Sequence, residues 1–560
     1  MKNYILLWVC LWCAGQLCAE TAASKSLDIN IVGHVLDKNT REHLPYISVV
    51  LKGTTIGVMT DASGHYFLKN LPEGDFFLET SSVGYKTERR KVSLRRGTTL
   101  EIDFEIEEDA VVLDGVVVSA NRSETTRRLA PTLVNVVDLK LFETTNSSTL
   151  SQGLNFQPGV RVETNCQNCG FQQVRINGLD GPYTQILIDS RPVFSALSGV
   201  YGLEQIPASM IERVEVMRGG GSALFGSSAI AGTINIITKE PLRNSGRLSH
   251  TITSIGGSSS FDNNTSLNAS LVTDDHRAGL YIFGQNRHRS GYDYDGDGFT
   301  ELPKLKNQTV GFRSYLKTST YSKLTFEYHH MQEFRRGGDM LNRPPHEAHI
   351  AEQLQHSIDG GSLKYDYFSP DEKNRLSVFA SAANTDRDSY YGPGNDPLKA
   401  YGKTTDLTAM GGAQYVHSFD KLLFMPSDLT AGLEYNRDRL KDNMWGYDRH
   451  TDQTVNIYSA FLQNEWKNKH WGILIGGRLD KHNMVDDIIF SPRANLRFNP
   501  TDNINLRLSY SSGFRAPQAF DEDMHIENVG GTVAMIERAK DLKEEKSQSF
   551  SASADMYHRF

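Results

Sequence analysis

At 560 residues the chain is longer than one ordinary domain, and a net charge of −8 removes the general basic face that a nucleic-acid partner would require. Hydrophobic residues make up 39% and the mean hydropathy is −0.43. Beyond the N-terminus no segment approaches the roughly 20 consecutive apolar residues of a membrane-spanning helix, while abundant Gly (47), Tyr (23) and Phe (26) suit a β protein.

Residues 1–19 form a secretory signal, with basic Lys2, an apolar run from Tyr4 to Ala14, and cleavage expected after Ala19. Cys10, Cys13 and Cys18 leave with it; Gln16 and Leu17 before Cys18 do not fit a lipid-attachment site. The mature chain then keeps Cys166 and Cys169 in an oxidising compartment. From 29 to 107, short apolar alternations are separated by turn signals such as "DASG" and "LPEGD", the spacing of a small β-sandwich. His34, His43 and His65 lie in it at spacings that suggest no metal site, so they read as structural or surface histidines. In the linker 108–129, "LDGVVVSA" (Leu113–Ala120) is a β-branched strand in polar surroundings with no evident pairing partner. Residues 130–241 are mixed α/β. From 242 to 560, segments such as "KLTFEYH" and "NLRLSYSS" alternate apolar and polar residues, joined in turn by short turns and long polar loops. That is the pattern of a transmembrane β-barrel, here of about 14 strands, with one face to lipid and one to the lumen. The expected class is therefore mainly β: a sandwich, an α/β domain and a transmembrane barrel.

Three segments carry family resemblances. "GHVLD" to "SSVGY" resembles the carboxypeptidase regulatory-like domain, which implies a non-catalytic module. "INGLDG", "ILIDSRPV", "IPASMIERVEVMRG" and "SALFGSSAIAGTINIITK", in this order, resemble the plug domain of TonB-dependent outer-membrane receptors. "RGGG" at Arg218–Gly221 departs from the commoner Gly-Pro after the arginine. The Gly-rich run lacks the Lys-Ser/Thr ending of a phosphate-binding loop. By this resemblance "DGVVVSA" is the TonB box, and Asp114, Gly115, Val116, Val117, Val118, Ser119 and Ala120 are expected to bind TonB by strand addition. An ordinary linker strand is the competing reading. Arg213, Glu215 and Arg218 become candidates for ion pairs between plug and barrel, with plain surface charges as the alternative.

The resemblance implies active import of a scarce nutrient, iron–siderophore or haem first and cobalamin next. The partners it implies are TonB with its inner-membrane energising complex, the lipid bilayer, and a small metal chelate or haem; no nucleic acid is expected. The barrel would lie in the outer membrane with the sandwich in the periplasm. A surface-binding or adhesion protein would keep the barrel but would not need a TonB box. No zinc or Ser–His–Asp set stands out, so no enzyme is expected. The family barrel has about 22 strands, and "DLKEEKSQSF" (Asp541–Phe550) resembles a segment well inside it, so the chain reads as truncated; a small closed barrel ending at Phe560 is the alternative.

Ligand-binding candidates are His346, His349 and His356, placed in one external loop, and His525 in "GFRAPQAFDEDMHI", which resembles the FRAP box of these receptors. "NCQNCGF" places Cys166 and Cys169 three apart, as a local disulfide or as thiols in contact with metal or haem; two cysteines supply half a zinc set. No cofactor is required. Asp293, Asp295, Asp297 and Glu301 resemble the first half of a calcium loop, but Lys304 stands where the bidentate Glu belongs, so a solvated acidic loop is the first reading and a calcium site that stiffens it the second.

Overall fold

The computed structural model describes residues 29–82, 85–107, 116–122, 125–166, 168, 170–191, 206–227, 229–393, 400–529, 532–539 and 541–556. Residues 29–107 form two sheets of four strands each, one built around Asn30–Asp37 and the other around Ser48–Leu51 and Gly74–Ser81. Strict in–out alternation along Asn30–Asp37 sends Ile31 and Val35 into a core shared with Val49, Leu51, Leu78 and Phe104. The sandwich rests on the short turns of the large sheet: the Thr55 amide donates to the Thr320 carbonyl at 2.8 Å, and Arg243 lies 3.7 Å from the Tyr46 ring centroid.

The middle domain holds a four-stranded sheet in the order Val134–Asp138, Ile211–Arg218, Gly232–Thr238, Thr184–Ile188, the last pair parallel. The short helix Leu139–Thr144 starts where the Asp138 carboxylate accepts from the Leu141 amide at 2.9 Å. It packs Phe142 with Leu150, Leu154, Val214 and Ile236 in one core. A hairpin, Val160–Cys166 with Phe171–Ile176, rises from this domain.

Among the described residues, the third region is a single antiparallel sheet of 14 strands, from Ser245–Ser254 to Glu545–Met556, in which the strands follow chain order. Period two sorts its side chains. Leu267, Leu433, Leu462, Ile475 and Leu508 stand out on the outer face, while Arg287, Arg335, Arg387, Arg478 and Arg507 are buried on the inner one. A surface apolar outside and charged inside suits lipid without and a polar interior within. The inner face wraps the middle domain, which it contacts from the strand Ala278–Arg289 round to the strand Ile504–Arg515. The order is an open path, with no pairing between its first and last strands among the described residues, so the alternative of a small closed barrel is not what is seen. No helix among the described residues is long and apolar enough to cross a membrane.

Candidate functional site

At the short-turn end, the linker is stowed rather than free. Val116–Val117 pairs antiparallel with Thr125–Thr126, which corrects the expectation of an unpaired strand. Val117 and Ala120 pack with Ala130 and Val134. Beneath them Glu215 is fully buried, and its Oε2 accepts from the Val118 amide (2.9 Å), the Ser119 amide (2.9 Å) and the Ser119 hydroxyl (2.7 Å). One carboxylate thus satisfies two backbone donors that the strand leaves over. Asp114 and Gly115 lie outside the described residues.

The three charges expected to pair with the wall differ in what they reach. Glu215 bonds the linker and Arg213, and Arg213 also reaches Glu212 on its own strand. Arg218 lines a narrow polar gap with Arg493, Ser511 and Ser549 of the wall, and forms no ion pair among the described residues. The period-two strand explains the correction: Arg213 and Glu215, two apart, share a face and pair with each other, so Glu215 is taken up by Arg213 and the linker, whereas Arg218 falls on the opposite face, toward the gap. Other residues make that contact. Asp189 pairs with Arg313, Glu240 with Lys323 (2.8 Å), and Arg122 with Glu434, which also binds Arg478 at 2.7 Å. Arg478 adds bonds to Asp480 (2.8 Å) and to the Leu224 carbonyl (3.2 Å). Charges on the polar face of a lipid-spanning strand were the signal for these wall residues; their partners could not be read locally.

At the long-loop end, the tip of the hairpin meets the wall. A Cβ on Gly337 would lie 1.8 Å from the Asn168 carbonyl oxygen, so only glycine lets the two backbones approach. Nearby the Cys166 thiol donates to Glu352 Oε2 at 3.0 Å, and His525 Nε2 lies 3.5 Å from the same oxygen. Burial depresses the His525 imidazole, but hydrogen bonds to Cys166 and Glu352 outweigh it and raise it to about 10. Cys169 lies outside the described residues, and with it the expected disulfide.

The histidine expectations divide. His346 Nδ1 meets the Tyr401 hydroxyl at 2.8 Å, and exposed His349 meets Asp339 at 2.6 Å, both in the loop before Ile350. His356 is not in that loop. It lies within the strand Ile350–Phe368, buried on the same inward face as Leu354 and Ile358, 3.5 Å from Glu333. The strand simply begins earlier than its polar text suggests, because lumen-facing positions are polar. Asp293, Asp295 and Asp297 draw their carboxylates together in an exposed loop, whereas Glu301 turns away to accept from the Tyr294 amide and leaves the group. In the sandwich, His34, His43 and His65 converge with ring centroids 4.1–5.4 Å apart, against the expectation from their spacing.

Comparison with known proteins places these features in a family. A CarboxypepD_reg-like domain matches residues 31–118, a TonB-dependent receptor plug domain residues 126–233, and a TonB dependent receptor-like β-barrel residues 238–560. A vitamin B12 transporter, BtuB, of Vibrio vulnificus is 25% identical over 424 residues, covering 73% of this chain; the chain spans 64% of that relative's length. The siderophore receptor PirA of Acinetobacter baumannii shares the fold with a TM-score of 0.65 at 18% identity, over 77% of this chain and 69% of that one. A variant of the ferric enterobactin receptor PfeA of Pseudomonas aeruginosa gives 0.63 at 18%, over 77% and 70%. The chain belongs to the TonB-dependent receptors, whose β-barrels are outer-membrane proteins.

Proposed function

We propose that the protein imports a scarce metal-bearing nutrient, a ferric siderophore or haem, across the outer membrane with energy delivered by TonB. The observation that carries this reading is the stowed linker. Val118 and Ser119 hang on Glu215, which belongs to a central strand of the plug sheet, so tension on the linker is passed straight to the plug. TonB would add a strand to residues 114–120 once they are released, drawing on the inner-membrane complex, while the N-terminal sandwich waits in the periplasm. Cobalamin is the second reading, favoured by the likeness to a vitamin B12 transporter.

Deleting residues 114–120 should reduce uptake to background while ligand still binds at the cell surface. Undiminished uptake by that variant would reject energised import and leave a binding or adhesion role. Growth of a deletion strain on haem, ferric siderophore or cobalamin as the limiting nutrient separates the cargoes.

A further inference from the structure

We propose that Cys166, Glu352 and His525 form a three-ligand site for a divalent transition-metal ion of the zinc class, seated where the plug tip meets the wall. It goes beyond the import reading and stands without it. The residues come from three distant parts of the chain: the plug hairpin, the wall strand Ile350–Phe368, and the segment after the short helix Asp521–Met524. Their ligand atoms all lie within 4.8 Å of one another. In a tetrahedral zinc site, bond lengths near 2.0–2.3 Å set neighbouring ligand atoms roughly 3–4 Å apart. Both contacts to the Glu352 oxygen, 3.0 Å from Cys166 Sγ and 3.5 Å from His525 Nε2, already have that separation. The Cys166–His525 edge lies within 4.8 Å.

The donor set chooses the ion. Thiolate and imidazole favour zinc and its transition-metal neighbours, whereas calcium and magnesium seek oxygen alone. Two plug cysteines were half a zinc set by sequence; Glu352 and His525 provide a carboxylate and an imidazole beside one of them. The surroundings are apolar: Leu354, Tyr391, Met444 and Ile526 cluster here with Cys166 packed against them, and the Tyr391 ring stands edge-on to His525 at 5.3 Å. To bind, the thiol gives up its proton and serves as thiolate, so the ion takes that proton's place and the proton passes to solvent. Three protein ligands leave a fourth position for water or a donor from an arriving ligand. A bound ion would also tie the outer segment carrying His525 to the plug tip.

The test uses the full chain extracted from outer membranes in detergent and reduced. Titration with Co2+ should give one equivalent bound and a thiolate-to-cobalt charge-transfer band, which Zn2+ abolishes by displacement. Cys166→Ser should remove the band; Glu352→Gln and His525→Ala should each weaken binding by more than the roughly 10–100-fold that loss of a supporting group costs. Cys169→Ser should keep both the band and the affinity. Zn2+ should slow proteolysis of the segment around His525 in the parent but not in Glu352→Gln, a near-isosteric change that preserves folding. Binding retained in Cys166→Ser, or a missing band in reduced Cys169→Ser, overturns the site.

Discussion

The two ends of the plug are fastened by different chemistry. At the short-turn end the fastening rests on buried charge: the Glu215 carboxylate grips the amides of the linker, and Arg122 and Arg478 share Glu434 within a few ångströms. At the long-loop end a thiol, a carboxylate and an imidazole meet inside an apolar shell, with one glycine admitting the hairpin tip. Buried ion networks hold firmly while intact and fail steeply when one member goes, since the partners are left charged and unpaired. A mixed donor set is weaker by itself but open to reinforcement by an outside ligand. On the proposed import reading, one end would bear load from within and the other would register what arrives from without.

Substitutions should separate these roles. The largest effect is expected for Arg478→Ala, which leaves buried Asp480 without its cation and Glu434 with Arg122 alone, and should destabilise plug seating by about 3–5 kcal/mol. Urea titration with protease cleavage of the plug as readout measures it. Arg122→Ala should cost less, because Arg478 still neutralises Glu434; equal losses would show that the two arginines do not share it. Next comes Glu215→Gln, which keeps an acceptor but loses the charge on three hydrogen bonds, a loss of roughly 2–3 kcal/mol. Its signature is local: a cysteine introduced at Val117 should become reactive to a periplasmic thiol reagent while urea resistance of the wall is unchanged. Smallest of all is Asp502→Ala, which removes the exposed partner of Arg128 and should shift the same urea midpoint by under about 1 kcal/mol. A large shift there would mean that the short-turn end depends on its rim rather than on its buried centre.

Much of the architecture was legible because it is written in periods. Alternation in "NLRLSYSS" places Leu506 and Leu508 on one face and Arg507 on the other, and the structure buries Arg507 and exposes Leu508. The plug was legible from its ordered motifs. What was not legible depends on contacts across long stretches of chain. Cys166 and Glu352 are 186 residues apart, and nothing near either one announces the other. Glu352 stands among polar residues between His349 and His356, with no local sign of a ligand. The sequence places His356 in that loop because a strand whose inner face is polar loses the apolar signature that would mark its start. Glu215 was singled out for its charge, but the direction of its side chain follows from sheet order, which no local pattern specifies.

The geometry of the stowed linker bears on how it would give way. Val116 and Val117 pair with Thr126 and Thr125, so the two open ends of this small hairpin lie side by side. A pull on the N-terminal arm, with the C-terminal arm anchored by Ala130 against Arg507, peels the strands apart like a zipper and does not slide them past each other. The bonds would then break one after another, the Val116 pair first and the Glu215 clamp at Val118 and Ser119 afterwards, so the proposed pulling partner would never have to overcome them all at once. Because Glu215 belongs to the plug sheet, the tension would reach the plug through this clamp for as long as it holds.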